Sequence, residues 1–506
     1  MQVTGSDHRA RRAAYLVLGV AVLARIALGS FEPLAPDETY YWEWSRRLAA
    51  GYVDHPSAIA LLVRLGTLAL GATPLGVRIG SLVAGGAASL VIVRVSGSLG
   101  GDRAMLRAAW IIACLPLAQV GLALATPDAP LLLFWSLALA ALLAAVRIDT
   151  SRRARDIAWT LAGVALGAAM YSKYTAILLL LGVGVAVVAQ PSLRRELATR
   201  GPYAALAAAI IVFAPNLIWN AKHGWLSFAI QLEHGLGVHR GFALAHEANL
   251  LGGQIALVSP LLLAAFAIVV GRAMLRPDDA ARTTLAIIGA VTWLAFAASA
   301  LRSAVEPNWQ APAYLSAIVL AATFESGNRW RKFLRTGVAL GGAITLIIYA
   351  QALFAILPLS ASLDPTAAGA GWSTLAAHVD SARAGAPRGA AAWVAGERYQ
   401  EASELAFHLA DHPTTFVIDV HARRTQYDLW PDFPQRAHAG DRLVLVLGMF
   451  SAPDDDPVIA ALTSHFDRVT LREVVALRRG ASVRTWRRVW VLDGWHDSWP
   501  AAQLAR

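Results

Sequence analysis

Apolar runs long enough to cross a bilayer recur along this chain, separated by short arginine clusters, and no other feature restricts its fold as much. A membrane-spanning helix needs roughly 20 apolar residues. Runs of about that order occur near 13–30, 75–93, 105–124, 128–146, 157–170, 173–190, 202–219, 249–271, 282–301, 309–324 and 335–357. That makes about eleven crossings, or about thirteen if the segment 57–72 also inserts and merged pairs separate. Composition agrees, because 57% of the 506 residues are hydrophobic and only 15% are charged. A soluble chain carries about 25% charged residues. The reading is an α-helical polytopic membrane protein.

The net charge of +10 needs no nucleic-acid partner. Its basic residues sit mostly in loops: Arg94, Arg103 and Arg107; Arg147, Arg152, Arg153 and Arg155; Arg194, Arg195 and Arg200; Arg272, Arg276 and Arg282; Arg329, Arg331, Lys332 and Arg335. Alternate loops carry these clusters, which places them and the N-terminus on the cytoplasmic side. The intervening loops then face outward. They include 31–56, Thr126-Pro127-Asp128, Lys173, 220–248 and Arg302 to Trp309. His8-Arg9-Ala10-Arg11-Arg12 before an apolar run has the look of a signal peptide. Arg25 interrupts that run, so an uncleaved first span is expected. The single cysteine, Cys114, excludes an intramolecular disulfide framework.

Composition changes past Pro358. Residues 359–371 are small and linker-like, and 372–506 reads as an outward-facing soluble α/β domain. Strands are expected at 417–420, 443–447 and 489–492, with helices at about 398–410 and 457–466. The expected division is thus a membrane domain 1–358 with a first outer loop 31–73, the linker, and the soluble domain.

Ionisable residues at a membrane boundary are functional candidates by default. Pro36-Asp37-Glu38 suits the first turn of a helix, with both carboxylates at the positive end of its dipole. Read on its own, that helix is amphipathic and lies at the interface, with Tyr40, Trp42 and Trp44 as headgroup-level anchors. Asp128 repeats the Pro-Asp pattern on the same outer face. Lys173, His55 and Arg302 share that face and are suited to hold a phosphate through charge-assisted hydrogen bonds. Carboxylates, cations and aromatics at one boundary point to a phosphate-bearing lipid substrate and proton transfer on an acceptor.

These segments together resemble a known family. Pro36-Asp37-Glu38-Thr39-Tyr40-Tyr41-Trp42-Glu43-Trp44-Ser45 with Gly51-Tyr52-Val53-Asp54-His55-Pro56 is similar to the first outer loop of family 39-type glycosyltransferases. These are GT-C fold enzymes, akin to protein O-mannosyltransferases and aminoarabinose transferases of lipid A. Thr126-Pro127-Asp128-Ala129-Pro130, Tyr171-Ser172-Lys173-Tyr174-Thr175 and Glu306-Pro307-Asn308-Trp309 follow in the family's order. The resemblance covers about 10–357. It implies a GT-C fold and transfer of a sugar from a polyprenyl-phosphate donor to a lipid, protein or glycan acceptor outside the cytoplasmic membrane. It gives Asp37 the role of general base, Glu38 a supporting one, and Asp128 a part in shaping the site or meeting the acceptor. Lys173 falls where the family binds the donor phosphate, and His55 where some relatives carry a lysine. Arg302 joins them on charge and topology, and Tyr40, Tyr41 and Trp309 are the aromatic contacts. Direct displacement at the anomeric carbon would invert it.

No metal ligand set is assigned, although Asp37, Glu38, Asp128 and His55 could offer ligands to a divalent ion. Tyr399-Gln400-Glu401-Ala402-Ser403-Glu404-Leu405-Ala406-Phe407 and Thr425-Gln426-Tyr427-Asp428-Leu429-Trp430 resemble the C-terminal segment of some bacterial members. The alternative function is a transporter or flippase for a lipid-linked sugar, which would need a polar pathway through the bilayer.

Overall fold

The computed structural model describes residues 5–146, 151–236, 244–277, 279–418, 424–449 and 456–500. The chain separates into two compact units, one of residues 1–30 and 48–350, the other of 31–47 and 351–506.

The first unit is helical. Among the described residues, six helices are long and apolar enough to cross a membrane, and a bent pair passes the same test only when its two helices are taken together. The other expected crossings appear as shorter or kinked helices. The helix Pro74–Cys114 has 41 residues and is broken at Gly101, which adopts φ 73°, a conformation open to glycine at little cost. At roughly 60 Å of rise it holds the expected run 75–93 and the first half of 105–124, which continues in the helix Pro116–Gly121. The 57–72 segment is the 13-residue helix Ala58–Leu70. Leu244–Val258 and Pro260–Leu275 meet at 101°, because Pro260 cannot donate a backbone hydrogen bond and the residue before a proline is driven out of the helical region.

At the centre lies the helix Ala311–Thr323, whose 13 residues are all buried. Trp135, Phe266, Leu285 and Ile288 belong to the same apolar core. Two arginines are buried at the end of the first span and the start of Pro74–Cys114: Arg25 donates to Ser89 Oγ (3.3 Å) and Arg78 to the Gly29 carbonyl (3.0 Å).

The second unit is a five-stranded mixed sheet in the order β2-β1-β3-β5-β4, formed by β1 (Ala392–Gly396), β2 (Thr415–Val417), β3 (Arg442–Leu447), β4 (Phe466–Arg479) and β5 (Ser482–Trp495). β1 runs parallel to β2 and β3, and β5 antiparallel to β3 and β4. Side chains alternate across a strand. Val444, Val446, Val489 and Val491 accordingly face Trp372, Leu375 and Leu405 of two covering helices. Leu443, Leu445, Leu447, Trp490 and Leu492 face Phe433, Leu462 and Trp495 on the other side. The expected strand 417–420 begins earlier, at Thr415, and Asp419 and Val420 lie outside the described residues. β1 and β4 were not expected.

Residues 31–47 join this second unit, although both flanking segments belong to the first. The helix Pro36–Arg46 packs on the helix Tyr399–His408: Trp42 meets Phe407 edge-on at 5.1 Å, and Thr39 Oγ1 lies 3.0 Å from Ser403 Oγ. Arg46 donates to the His412 carbonyl at 2.6 Å. Tyr40, Trp42 and Trp44 are therefore core residues, at most 4% exposed, and not the headgroup-level anchors their amphipathic spacing suggested. A buried partner surface produces the same apolar stripe as an interface does.

Helix packing in the first unit sets a sharp test. A Cβ on Gly163 would lie 2.0 Å from the Ala205 carbonyl oxygen of the neighbouring helix, whereas one on Gly184 meets nothing within 4 Å. Gly163→Ala should destabilise by about 1–3 kcal/mol through overpacking, seen as a lower unfolding temperature in detergent. Gly184→Ala should not. Equal behaviour of the two variants would contradict this packing.

Candidate active site

Three helix breaks in the membrane unit bring the polar residues together. Asp128 opens the helix Asp128–Ala145, where the unpaired backbone N–H groups favour a carboxylate. Lys173 sits between the helix Arg152–Met170 and the turn Tyr174–Ala176. Asn308 lies in the turn Pro307–Gln310 ahead of the central helix. Lys173 Nζ donates to Asp128 Oδ1 at 2.7 Å, and Asn308 Nδ2 donates to Asp128 Oδ2 at 2.7 Å. Asp128 is 7% and Lys173 6% exposed. Both carboxylate oxygens are thus occupied, and the ammonium also lies 5.8 Å from the Trp309 ring centre.

Trp309 forms part of the wall of a cavity of about 940 Å³. That wall is almost entirely apolar, with Leu178, Phe213, Phe228 and Phe296 prominent. Arg302, itself exposed, is the charged residue lining it, beside Tyr174, Gln231 and Ser299. Tyr174 donates to Asn216 Oδ1 (3.2 Å) and accepts from Asn220 Nδ2 (3.2 Å). Asn216 Nδ2 in turn donates to the Ala50 carbonyl (3.3 Å). This fastens the Gly51–Pro56 turn, in which the His55 carbonyl accepts from the Tyr52 N–H (3.1 Å). Tyr52 is buried there, which pushes its phenol up to about 12.

Asp37 lies in the second unit, exposed on the first turn of Pro36–Arg46. Tyr399 Oη donates to Asp37 Oδ1 at 2.9 Å. Glu38 is buried and accepts from the Ala35 N–H (2.9 Å), closing the helix start. Tyr40 is packed against Tyr399 at 4.4 Å and near Tyr427 at 6.0 Å, and its hydroxyl accepts from the Gln426 N–H (2.6 Å). Tyr41 is buried against Trp44 at 5.0 Å. Among the described residues no three His, Cys, Asp or Glu side chains converge as a metal cage.

The model of the family described as dolichyl-phosphate-mannose-protein mannosyltransferase matches residues 54–219. A lipid A galacturonosyltransferase of Rhizobium johnstonii is 25% identical over 342 residues, 67% of this chain and 70% of its own length. Both similarities are to glycosyltransferases. An undecaprenyl phosphate-α-4-amino-4-deoxy-L-arabinose arabinosyl transferase of Sodalis glossinidius is 32% identical over 198 residues, 36% of this chain and 35% of its own length. The fold matches that of ArnT from Cupriavidus metallidurans bound to undecaprenyl phosphate, at a TM-score of 0.67 and 16% identity. That match covers 97% of this chain and 98% of the other.

The structure joins Asp128, Lys173 and Trp309 directly and sets Arg302 on the cavity that Trp309 lines. Sequence reasoning left Asn308, Tyr399, Asn216 and Asn220 without roles. The two buried asparagines, one turn apart in an otherwise apolar span, were the signal available for the last pair.

Removing Lys173 alone leaves a buried carboxylate with less compensation, which costs about 3–5 kcal/mol when a buried ion pair is broken from one side. Lys173→Met should therefore lower stability markedly, and Asp128→Asn with Lys173→Met should recover most of the loss. Denaturant unfolding in detergent gives the cycle. A loss in the double variant equal to the sum of the two single losses would show that the two residues are not coupled.

Proposed function

We propose that this GT-C transferase moves a sugar from a polyprenyl-phosphate donor to a lipid acceptor at the outer face of the cytoplasmic membrane. The observation that carries this is the Lys173 ammonium, held by Asp128 and 5.8 Å from the ring of Trp309, which lines the large apolar cavity. An apolar chamber with Arg302 on its wall and Lys173 close to its Trp309 side suits an amphiphile whose tail is hydrocarbon and whose head is a phosphate. Both curated relatives are transferases, one named for lipid A and the other for an undecaprenyl-phosphate sugar, which favours a lipid acceptor over protein or glycan.

In this reading the polyprenyl chain occupies the cavity, and Lys173 and Arg302 face the phosphate. As the anomeric C–O bond to phosphate breaks, the leaving group gains charge, and preplaced cations stabilise it. Asp128 and Asn308 position Lys173. Asp37 takes the proton of the acceptor hydroxyl as its oxygen bonds to the anomeric carbon. One displacement inverts that centre, through an oxocarbenium-like state of the kind met in glycoside hydrolysis. Glu38 supports Asp37 by fixing the first helical turn, and Tyr40 and Tyr41 support the same helix from within its packing. Trp309 is the aromatic contact to substrate. His55, in its bridged turn, is assigned to the donor side. The arginine-rich loops support a cytoplasmic N-terminus and an outward-facing sheet-bearing unit.

Tyr399 makes the role of Asp37 testable beyond simple loss of activity. A hydrogen bond donated to a carboxylate favours its ionised form, so Tyr399→Phe should move the acid limb of the rate profile to higher pH while activity at high pH largely survives. Asp37→Asn should lower transfer by about 100-fold or more, the scale of general-base catalysis, with donor binding retained. The measurement is release of radiolabelled sugar from a panel of polyprenyl-phosphate sugars in the presence of lipid A. Undiminished turnover by Asp37→Asn would remove it as the base. Binding without turnover of any donor would count against transfer altogether.

A further inference from the structure

A second hollow, of about 550 Å³, lies at the other end of the central helix. Asn308 precedes that helix by three residues, while Leu320, Thr323 and Phe324 at its end line the hollow. Thirteen helical residues rise roughly 20 Å, so this hollow is separate from the Asp128–Lys173 site. Four arginines line it, Arg107, Arg272, Arg276 and Arg282, against two carboxylates, Asp279 and Glu325.

The two carboxylates are already engaged. Arg107 donates to Glu325 Oε1 at 2.7 Å and to the Ala322 carbonyl at 2.9 Å. Arg282 lies 3.5 Å from Asp279 Oδ2, and Asp279 also accepts from the Ala281 and Arg282 N–H groups. Arg272 and Arg276, one turn apart on Pro260–Leu275 and its C-cap, form no ion pair with a described carboxylate. Arg272 stands over the Phe324 ring at 5.3 Å, and both side chains are exposed. The local field is positive: the Glu325 carboxyl is held below its usual range by the hydrogen bond and charge of Arg107, with Arg103 and Arg331 adding to it. The exposed Arg272 and Arg276 share the lining with apolar Val269, Ala273 and Leu320, of which Val269 and Leu320 are buried.

We propose that this hollow binds the phosphate headgroup of an anionic membrane lipid. Arg272 and Arg276 would take the phosphate, as basic pockets between membrane helices do, and the apolar part of the lining would receive the start of an acyl chain. Soluble phosphate could satisfy the arginines but would leave the apolar lining bare, which is why the lipid is the favoured source. The proposal is independent of the transfer chemistry at the other end of the helix.

Binding to the delipidated full-length protein in detergent is the test, with phosphatidylglycerol, phosphatidylcholine and inorganic phosphate titrated at equal ionic strength. Phosphatidylglycerol should bind at least about tenfold more tightly than phosphatidylcholine, and Arg272→Gln with Arg276→Gln should weaken it by about tenfold or more. Arg272→Lys with Arg276→Lys should keep most of the affinity. A control pair, Arg152→Gln with Arg153→Gln, removes equal charge elsewhere on the same unit and should change it less than about twofold. Lipid-free unfolding temperatures verify that each variant is folded, and Arg276→Gln alone replaces the double variant if that one is not. Equal affinity for the two lipids, or equal weakening by the control pair, would overturn the site. Displacement of phosphatidylglycerol by inorganic phosphate at matched concentration would overturn the lipid assignment in favour of a soluble anion.

Discussion

The contact between Lys173 and Asp128 is what allows the membrane unit to hold a cation inside an apolar assembly. A lone ammonium there would be costly, and so would a lone carboxylate. At 2.7 Å, with Asn308 completing the second carboxylate oxygen, each group compensates the other. The location follows from backbone physics. Spanning helices satisfy their own N–H and C=O groups, so polar chemistry in a membrane protein gathers where helices end. Asp128, Lys173 and Asn308 each occupy such an end, and the three ends meet.

The sheet-bearing unit solves a different problem with the same economy. Pro36–Arg46 is short and carries more than its share of aromatic surface, which water would penalise if it were left uncovered. Its rings are buried against Tyr399, Phe407 and Tyr427, while Asp37 stays exposed on its first turn. The helix is therefore rigidly held where its packing is dense and open where its carboxylate emerges. Three chain crossings, at 30–31, 47–48 and 350–351, connect this unit to the membrane helices. The Asp37 carboxylate thus takes its orientation from a folded domain and not from a loop.

Much of this was legible in the sequence because it is periodic or punctuated. Apolar runs, arginine clusters and prolines at helix starts gave the membrane class and most helices. Pro127-Asp128 and Lys173 stood out as charges among apolar residues. What was not legible was partnership. Asn308 reaches Asp128 across 180 residues and Tyr399 reaches Asp37 across 362, and neither residue type is unusual where it stands. The aromatic stripe of residues 40–44 misled for a related reason: spacing reveals an apolar face but not what covers it. β1 and β4 escaped because β1 is short and β4 is largely solvent-facing, with charged residues breaking its apolar pattern.

The central helix bears on the choice between an enzyme and a carrier. A carrier needs a polar route from one face to the other, with binding near the middle of the membrane. Here the polar clusters lie at the two ends of Ala311–Thr323, whose residues are all buried. Between them the surrounding side chains are those of a packed core, including Leu132, Phe266, Leu315 and Ile318. Opening a route there would expose apolar surface on every side of that helix without supplying partners for a sugar's hydroxyl groups. An enzyme that meets a lipid-borne sugar at one face needs no such opening, and the cost of keeping Asp128, Lys173 and Asn308 together is then met by chemistry at that face alone.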